Sequence, residues 1–200
     1  MAEHAVKFAS FGEAKKIDLG SASDQDLAVR AIGDLYRFAL SARPAARSHR
    51  DFKMTGAALV RIGNQLYLIR GANRKIVPEF DPSRTCAEMQ CIDRAYELRE
   101  VLYPHAHVDM RILAIMNVGD VQPDDASGVL PSEGGTPSCG HCRREFIAES
   151  AIDNRQTITM SATMPNGRTG LIMPERMLFS TPDELVRKFG ILTKQGAWRS

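Results

Sequence analysis

The sequence predicts an α/β protein, a mixed sheet covered by helices. Three observations predict it. Short apolar runs at 54–60, 66–69, 108–118, 157–162 and 170–173 have the length of strands. Between several of them lie segments whose apolar residues recur at helical spacing. Gly, Pro and Asn separate the two kinds of segment, and such alternation builds a sheet with helices packed over it.

Taken in order, residues 1–22 lack periodicity and read as an arm or a short strand. Ser23 and Asp24 offer caps for a helix from about Gln25 to Ser41, whose Leu27, Ala31, Leu35, Phe38 and Ala39 form one stripe; Pro44 ends it. Arg43 to Arg50 reads as a basic loop. Met54–Val60 and Leu66–Ile69 flank Gly63-Asn64, a hairpin signal. After a polar loop from Asn73 to Arg84, Ser83 or Thr85 caps a helix from Cys86 to about Leu102, with Ala87, Cys91, Ala95 and Leu98 on one face. Val108–Val118 reads as a buried strand in which Ile112, Ala114 and Met116 alternate against Leu113 and Ile115. A long Asp-, Gly-, Ser- and Pro-rich loop follows over 119–138, then a helix over 140–152. Two strands joined by Pro165-Asn166-Gly167 come next, and Thr181-Pro182-Asp183-Glu184 opens a last helix in a 175–200 extension. The 200 residues are expected to form a single domain with these decorations.

Composition narrows the function classes. The chain is 44% hydrophobic and 25% charged, ordinary for a globular protein. A net charge of +2 and 6% aromatic residues argue against a nucleic-acid-binding face. No apolar run approaches the roughly 18 residues of a membrane helix. Four cysteines are too few for a disulfide framework at this length, so a cytoplasmic location is expected.

Three of those cysteines lie in two short pieces, Thr85-Cys86-Ala87-Glu88 and Pro137-Ser138-Cys139-Gly140-His141-Cys142. Thiolates are soft zinc ligands, and two cysteines separated by two residues can chelate one ion. One distant Cys plus that pair makes three ligands to Zn2+ and leaves a tetrahedral corner open, the pattern of a catalytic site. Glu88, two residues after the first ligand, can work as the proton carrier without binding the metal. A closed structural site with Cys91 or His141 as fourth ligand is the competing reading, but it leaves C-A-E unexplained. Cys91 falls on the apolar stripe of its helix and reads as a small core residue.

C-A-E followed by P-S-C-G-H-C resembles the cytidine deaminase family in its three-cysteine form, the zinc nucleoside deaminases that include blasticidin S deaminase-like enzymes. The resemblance runs from about Phe52 to Pro174. It implies a three-layer α/β/α cytidine deaminase-like fold with a five-stranded mixed sheet. It also implies a hydrolase of C–N bonds that releases ammonia from a cytosine-type nucleoside or related aminoheterocycle. Cys86, Cys139 and Cys142 would bind Zn2+, and Glu88 would shuttle protons. Asn73, the backbone at Ala87 and a stacking Phe52 would bind substrate. Relatives of this form assemble as homotetramers, so a homodimer or homotetramer is expected.

The departures are specific. The family's G-x-N-x-E segment reads Gly71-Ala72-Asn73-Arg74-Lys75 here, with Lys in place of the sugar-binding Glu, which favours an anionic group. Met89 stands where the family has a sulfur-binding Arg, which leaves Arg84, Arg143 or Arg144 as substitutes. Phe52 is four residues before Gly56 rather than three, a slip that turns a strand side chain to the other face. The 119–138 loop exceeds its family counterpart and is expected to close over substrate. Rival readings are a non-catalytic zinc-stabilised binding protein, a deaminase of bases in RNA or single-stranded DNA, and a deaminase-fold enzyme with another leaving group.

Overall fold

A computed structural model describes residues 14–17, 24–48, 53–76, 85–119, 157–163 and 172–174, together with 142, 145, 146, 149, 151 and 152. Phe52, Cys139, Arg84, His141, Arg143, Arg144, the 119–138 insertion beyond Gly119 and the 175–200 extension lie outside them.

All five expected strands are present: β3 (Met54–Ile62), β4 (Gln65–Ala72), β6 (Met110–Gly119), β7 (Ile158–Thr163) and β8 (Ile172–Pro174). The sheet has a sixth, because β1 (Ala14–Ile17) pairs antiparallel with β4 at the edge, giving the order β1-β4-β3-β6-β7-β8. The basic loop and the polar loop each yield two residues, β2 (Arg47–Ser48) and β5 (Arg74–Lys75), which pair in parallel. Gly63 turns the β3–β4 hairpin at a φ of 57°, where a side chain would be strained.

Helix α1 (Asp24–Ser41) covers one face of the sheet and α2 (Ala87–Leu102) the other. The period of two in β3 feeds both layers: Ala57 and Leu59 pack under α1, while Ala58, Val60 and Ile62 pack under α2. β3 runs antiparallel to both β4 and β6. Those two are therefore parallel to each other, and α2 is the crossover that parallel strands require. The β6–β7 pair is also parallel, and its connection carries helical residues 142, 145 and 146.

Strand β6 departs from the simple alternation expected of it. Leu59 pairs with Ala114 but Val60 pairs with Ile112, so Leu113 is an extra residue, a β-bulge. Leu113 and Ala114 accordingly both pack on the α1 side, whereas Ile112 and Ile115 pack on the α2 side. Ile112, paired with Val60 on one side, bonds on its other side beyond the sheet: its N–H donates to Ala151 O (2.8 Å), and its carbonyl accepts from Thr157 Oγ1 (2.6 Å).

Candidate metal centre

The centre is built on the first turn of α2. Cys86, in extended conformation (φ −83°, ψ 158°), is the N-cap residue, a role the sequence assigned to Thr85 or Ser83. The Thr85 hydroxyl instead donates to the Cys86 carbonyl (3.2 Å). The Cys86 side chain makes no cap hydrogen bond, and the positive end of the helix dipole lies at the residues around Cys86.

The turn is pinned to the end of β4. Gln90 Oε1 accepts the Ala72 N–H (3.2 Å), and Arg94 donates to the Arg70 carbonyl (2.6 Å). Between them the helix backbone lies so close to Gly71 that a Cβ there would be 2.2 Å from the Ala87 carbonyl oxygen. The far side is fixed by Tyr96 of α2, whose hydroxyl donates to Glu149 beyond Cys142; the same Glu149 carboxylate accepts the Ala151 N–H (3.0 Å).

These constraints bring together residues far apart in sequence. One ligand atom each from Cys86, Glu88 and Cys142 lies within 4.8 Å of the others. Cys142 is fully buried, Glu88 is 2% exposed and Cys86 is 9% exposed. Zn–S bonds of about 2.3 Å in tetrahedral array put two sulfurs about 3.8 Å apart, compatible with this spacing. Two convergent thiols beside a buried carboxylate at a helix start are a donor set that fits zinc, the helix dipole offsetting part of the thiolate charge. Cys91 stays out of this group. Its thiol is fully buried in the layer beneath α2, where burial first and the Glu88 charge second push its pKa well up, so it remains a neutral thiol.

Glu88 has a partner the sequence reading missed. Asn117 Nδ2 donates to Glu88 Oε1 at 2.9 Å, and Asn117 is 1% exposed. The signal was an amide inside the apolar stretch Ile-Leu-Ala-Ile-Met-Asn-Val-Gly of β6. Strand register aligns Gly71 with Gly56, Gly56 with Asn117, and Asn117 with Ser161 in one row across four strands.

The expected substrate residues are placed as follows. Arg74 and Thr85 exchange backbone hydrogen bonds (2.9 and 3.2 Å), which sets Asn73 beside Cys86. Asn73 is buried and its Oδ1 accepts the Met54 N–H (3.2 Å), so that oxygen ties β3 to β4. Ala87 is fully buried, its carbonyl against Gly71. Arg74 is exposed and Lys75 half-buried; Met89 packs partly buried against the α2-side core.

A sheet faced by a helix on each side, with thiols and a carboxylate gathered at one helix start, defines a candidate zinc-binding α/β protein. Among solved structures the chain is similar to cytidine deaminase from Mycobacterium leprae, at 18% identity and a TM-score of 0.43, covering 75% of this chain and 98% of that one. It is also similar to cytidine deaminase from Mycobacterium tuberculosis, at 18% identity and a TM-score of 0.41, covering 73% and 89%. No protein-family model and no curated protein matches the chain. Likeness at this level carries no functional weight, which falls on the residues themselves.

Proposed function

We propose that this chain is a zinc-dependent hydrolytic deaminase of a cytosine-type nucleoside or a related small aminoheterocycle, releasing ammonia. The observation that carries the reading is the meeting of Cys86, Glu88 and Cys142 at one buried point, from pieces of sequence more than fifty residues apart. Cys86 and Cys142 would hold the ion, with Cys139 as the third ligand. When bound, zinc supplies the Lewis acidity that makes water nucleophilic at neutral pH.

Glu88 does the proton work. Its carboxylate takes a proton from the attacking water, passes one to the ring nitrogen and helps protonate the departing amine. Burial suits it, since bulk water would otherwise compete for each proton. Asn73, held beside Cys86, and the basic pair Arg74–Lys75 form the edge where the rest of the substrate would lie. Cations there favour a substrate that bears an anionic group. Assembly as a dimer or tetramer is part of the same proposal, and light scattering would check it.

The direct test is ammonia release by the zinc-loaded protein on a panel of cytosine nucleosides, their phosphates, carboxylated nucleosides and other aminated heterocycles. Turnover of at least one, lost on chelation and restored by zinc, is expected. Zinc-loaded protein that releases ammonia from none of them contradicts the reading.

A further inference from the structure

The N-terminal turn of α2 rests on two glycines of one cross-strand row, Gly71 and Gly56, and the next member of that row is Asn117. Glycines let the helix backbone approach the sheet; the neighbouring strand then presents a side chain long enough to reach Glu88. That side chain is a buried amide in a strand whose other polar residue, Arg111, is exposed. An ionised carboxylate only accepts, so the amide must offer Nδ2, as it does at 2.9 Å.

Asn117 reaches this face only because of the bulge. Met110 and Ile112 point toward α2, and strict alternation from them would send 114, 116 and 118 the same way and turn Asn117 toward α1. The extra residue, Leu113, reverses the phase, so that Ile115 and Asn117 face α2 instead. The Ile112 N–H, donating to Ala151 O, and the Ile112 carbonyl, accepting from Thr157 Oγ1, hold the residue beside the bulge in place.

We infer that Asn117 is a positioning residue for Glu88, and that the bulge at Leu113 aims it. This rests on the deaminase reading of the site. A glutamate has three rotatable bonds between backbone and carboxylate. At the second residue of a helix it has no neighbouring turn on its N-terminal side to restrain it. Fixing Oε1 to a rigid central strand sets the plane of the carboxylate relative to Cys86 and Cys142. Proton transfer depends steeply on that placement.

The test uses the zinc-loaded protein, wild type against Asn117→Ala and Asn117→Leu. Leu keeps the branched shape of Asn and loses the donor without placing a second charge beside Glu88, so a purely packing role survives Asn117→Leu and a positioning role does not. Three quantities are read: zinc per chain, kcat and KM on a panel compound that the wild type deaminates, and the Glu88 conformation in crystals of each. We expect zinc retained, KM within about threefold, kcat lower by roughly 10- to 100-fold, and the Glu88 carboxylate displaced. A kcat within about twofold of wild type in Asn117→Leu overturns the inference, as does a Glu88 side chain that stays in place. Loss of zinc together with activity also overturns it, because Asn117 would then maintain the metal centre itself. If the wild type deaminates nothing on the panel, the functional reading fails, while the Glu88 conformation still decides this one.

Discussion

Gly71 lies directly beneath Ala87: a side chain at 71 would start 2.2 Å from the Ala87 carbonyl oxygen and 3.0 Å from Cys91 Sγ. Both obstacles belong to the start of the helix that carries Cys86 and Glu88, so the spacing between sheet and helix at this point sets where those two residues stand. Gly56, its partner across the sheet, is less tight, with the nearest Ala87 and Cys91 atoms at 3.4 Å.

The two glycines should therefore respond differently to the same change. Gly71→Ala must lift the helix start, at a cost of roughly 1–3 kcal/mol, and should also weaken zinc retention. Gly56→Ala adds a methyl at ordinary contact distance and restricts the unfolded chain, so its effect should fall within about 1 kcal/mol of neutral. Urea unfolding and zinc analysis of both variants check the pair. Equal penalties would mean that the approach at Gly71 does not locate the helix.

The four cysteines should divide three to one in reactivity. In zinc-loaded native protein a thiol reagent at pH 8 should find almost none. Chelation should expose Cys86, Cys139 and Cys142, and only denaturant should expose Cys91, whose buried thiol is held protonated. Cys142→Ser should lose zinc, whereas Cys91→Ala should keep it. A Cys91 that reacts alongside the others on chelation contradicts the separation of core thiol from ligand.

Tyr67 gives the fold an alkaline limit. Burial, with a smaller push from Tyr103, raises its hydroxyl from 10.0 to about 12. The folded-state value lies above the unfolded one, so the contribution is complete below pH 10 and is lost as pH climbs toward 12. The melting temperature should fall across that interval, and Tyr67→Phe should fall less steeply. Parallel curves for the two proteins would remove Tyr67 as a cause.

Much of this was legible because it is local. Glycine at the hairpin, helical spacing in 24–41 and 87–102, and the C-A-E piece beside a paired cysteine each depend on residues near one another. Less legible were features fixed by distant partners. A short strand was one of two readings of residues 1–22, and that Ala14–Ile17 form it is decided by the edge β4 has to offer. The cap of α2 passed from Thr85 to Cys86 because the Arg74–Thr85 bridge holds residue 85 in the sheet layer. Asn117 was hidden by the bulge, since a period-two reading of β6 sends it to the wrong face.

The central claim is that Glu88 carries protons beside an ion held by the cysteines. Glu88→Gln tests it most directly, because the amide keeps the size of the side chain and an oxygen for Asn117 to hold, and removes the charge and the ability to take up and release a proton. Zinc per chain and ammonia release are measured on the same preparations. The account predicts equal zinc in both proteins and a turnover in Glu88→Gln lower by roughly 10²- to 10⁴-fold. A zinc-loaded Glu88→Gln protein that turns over like the wild type contradicts it.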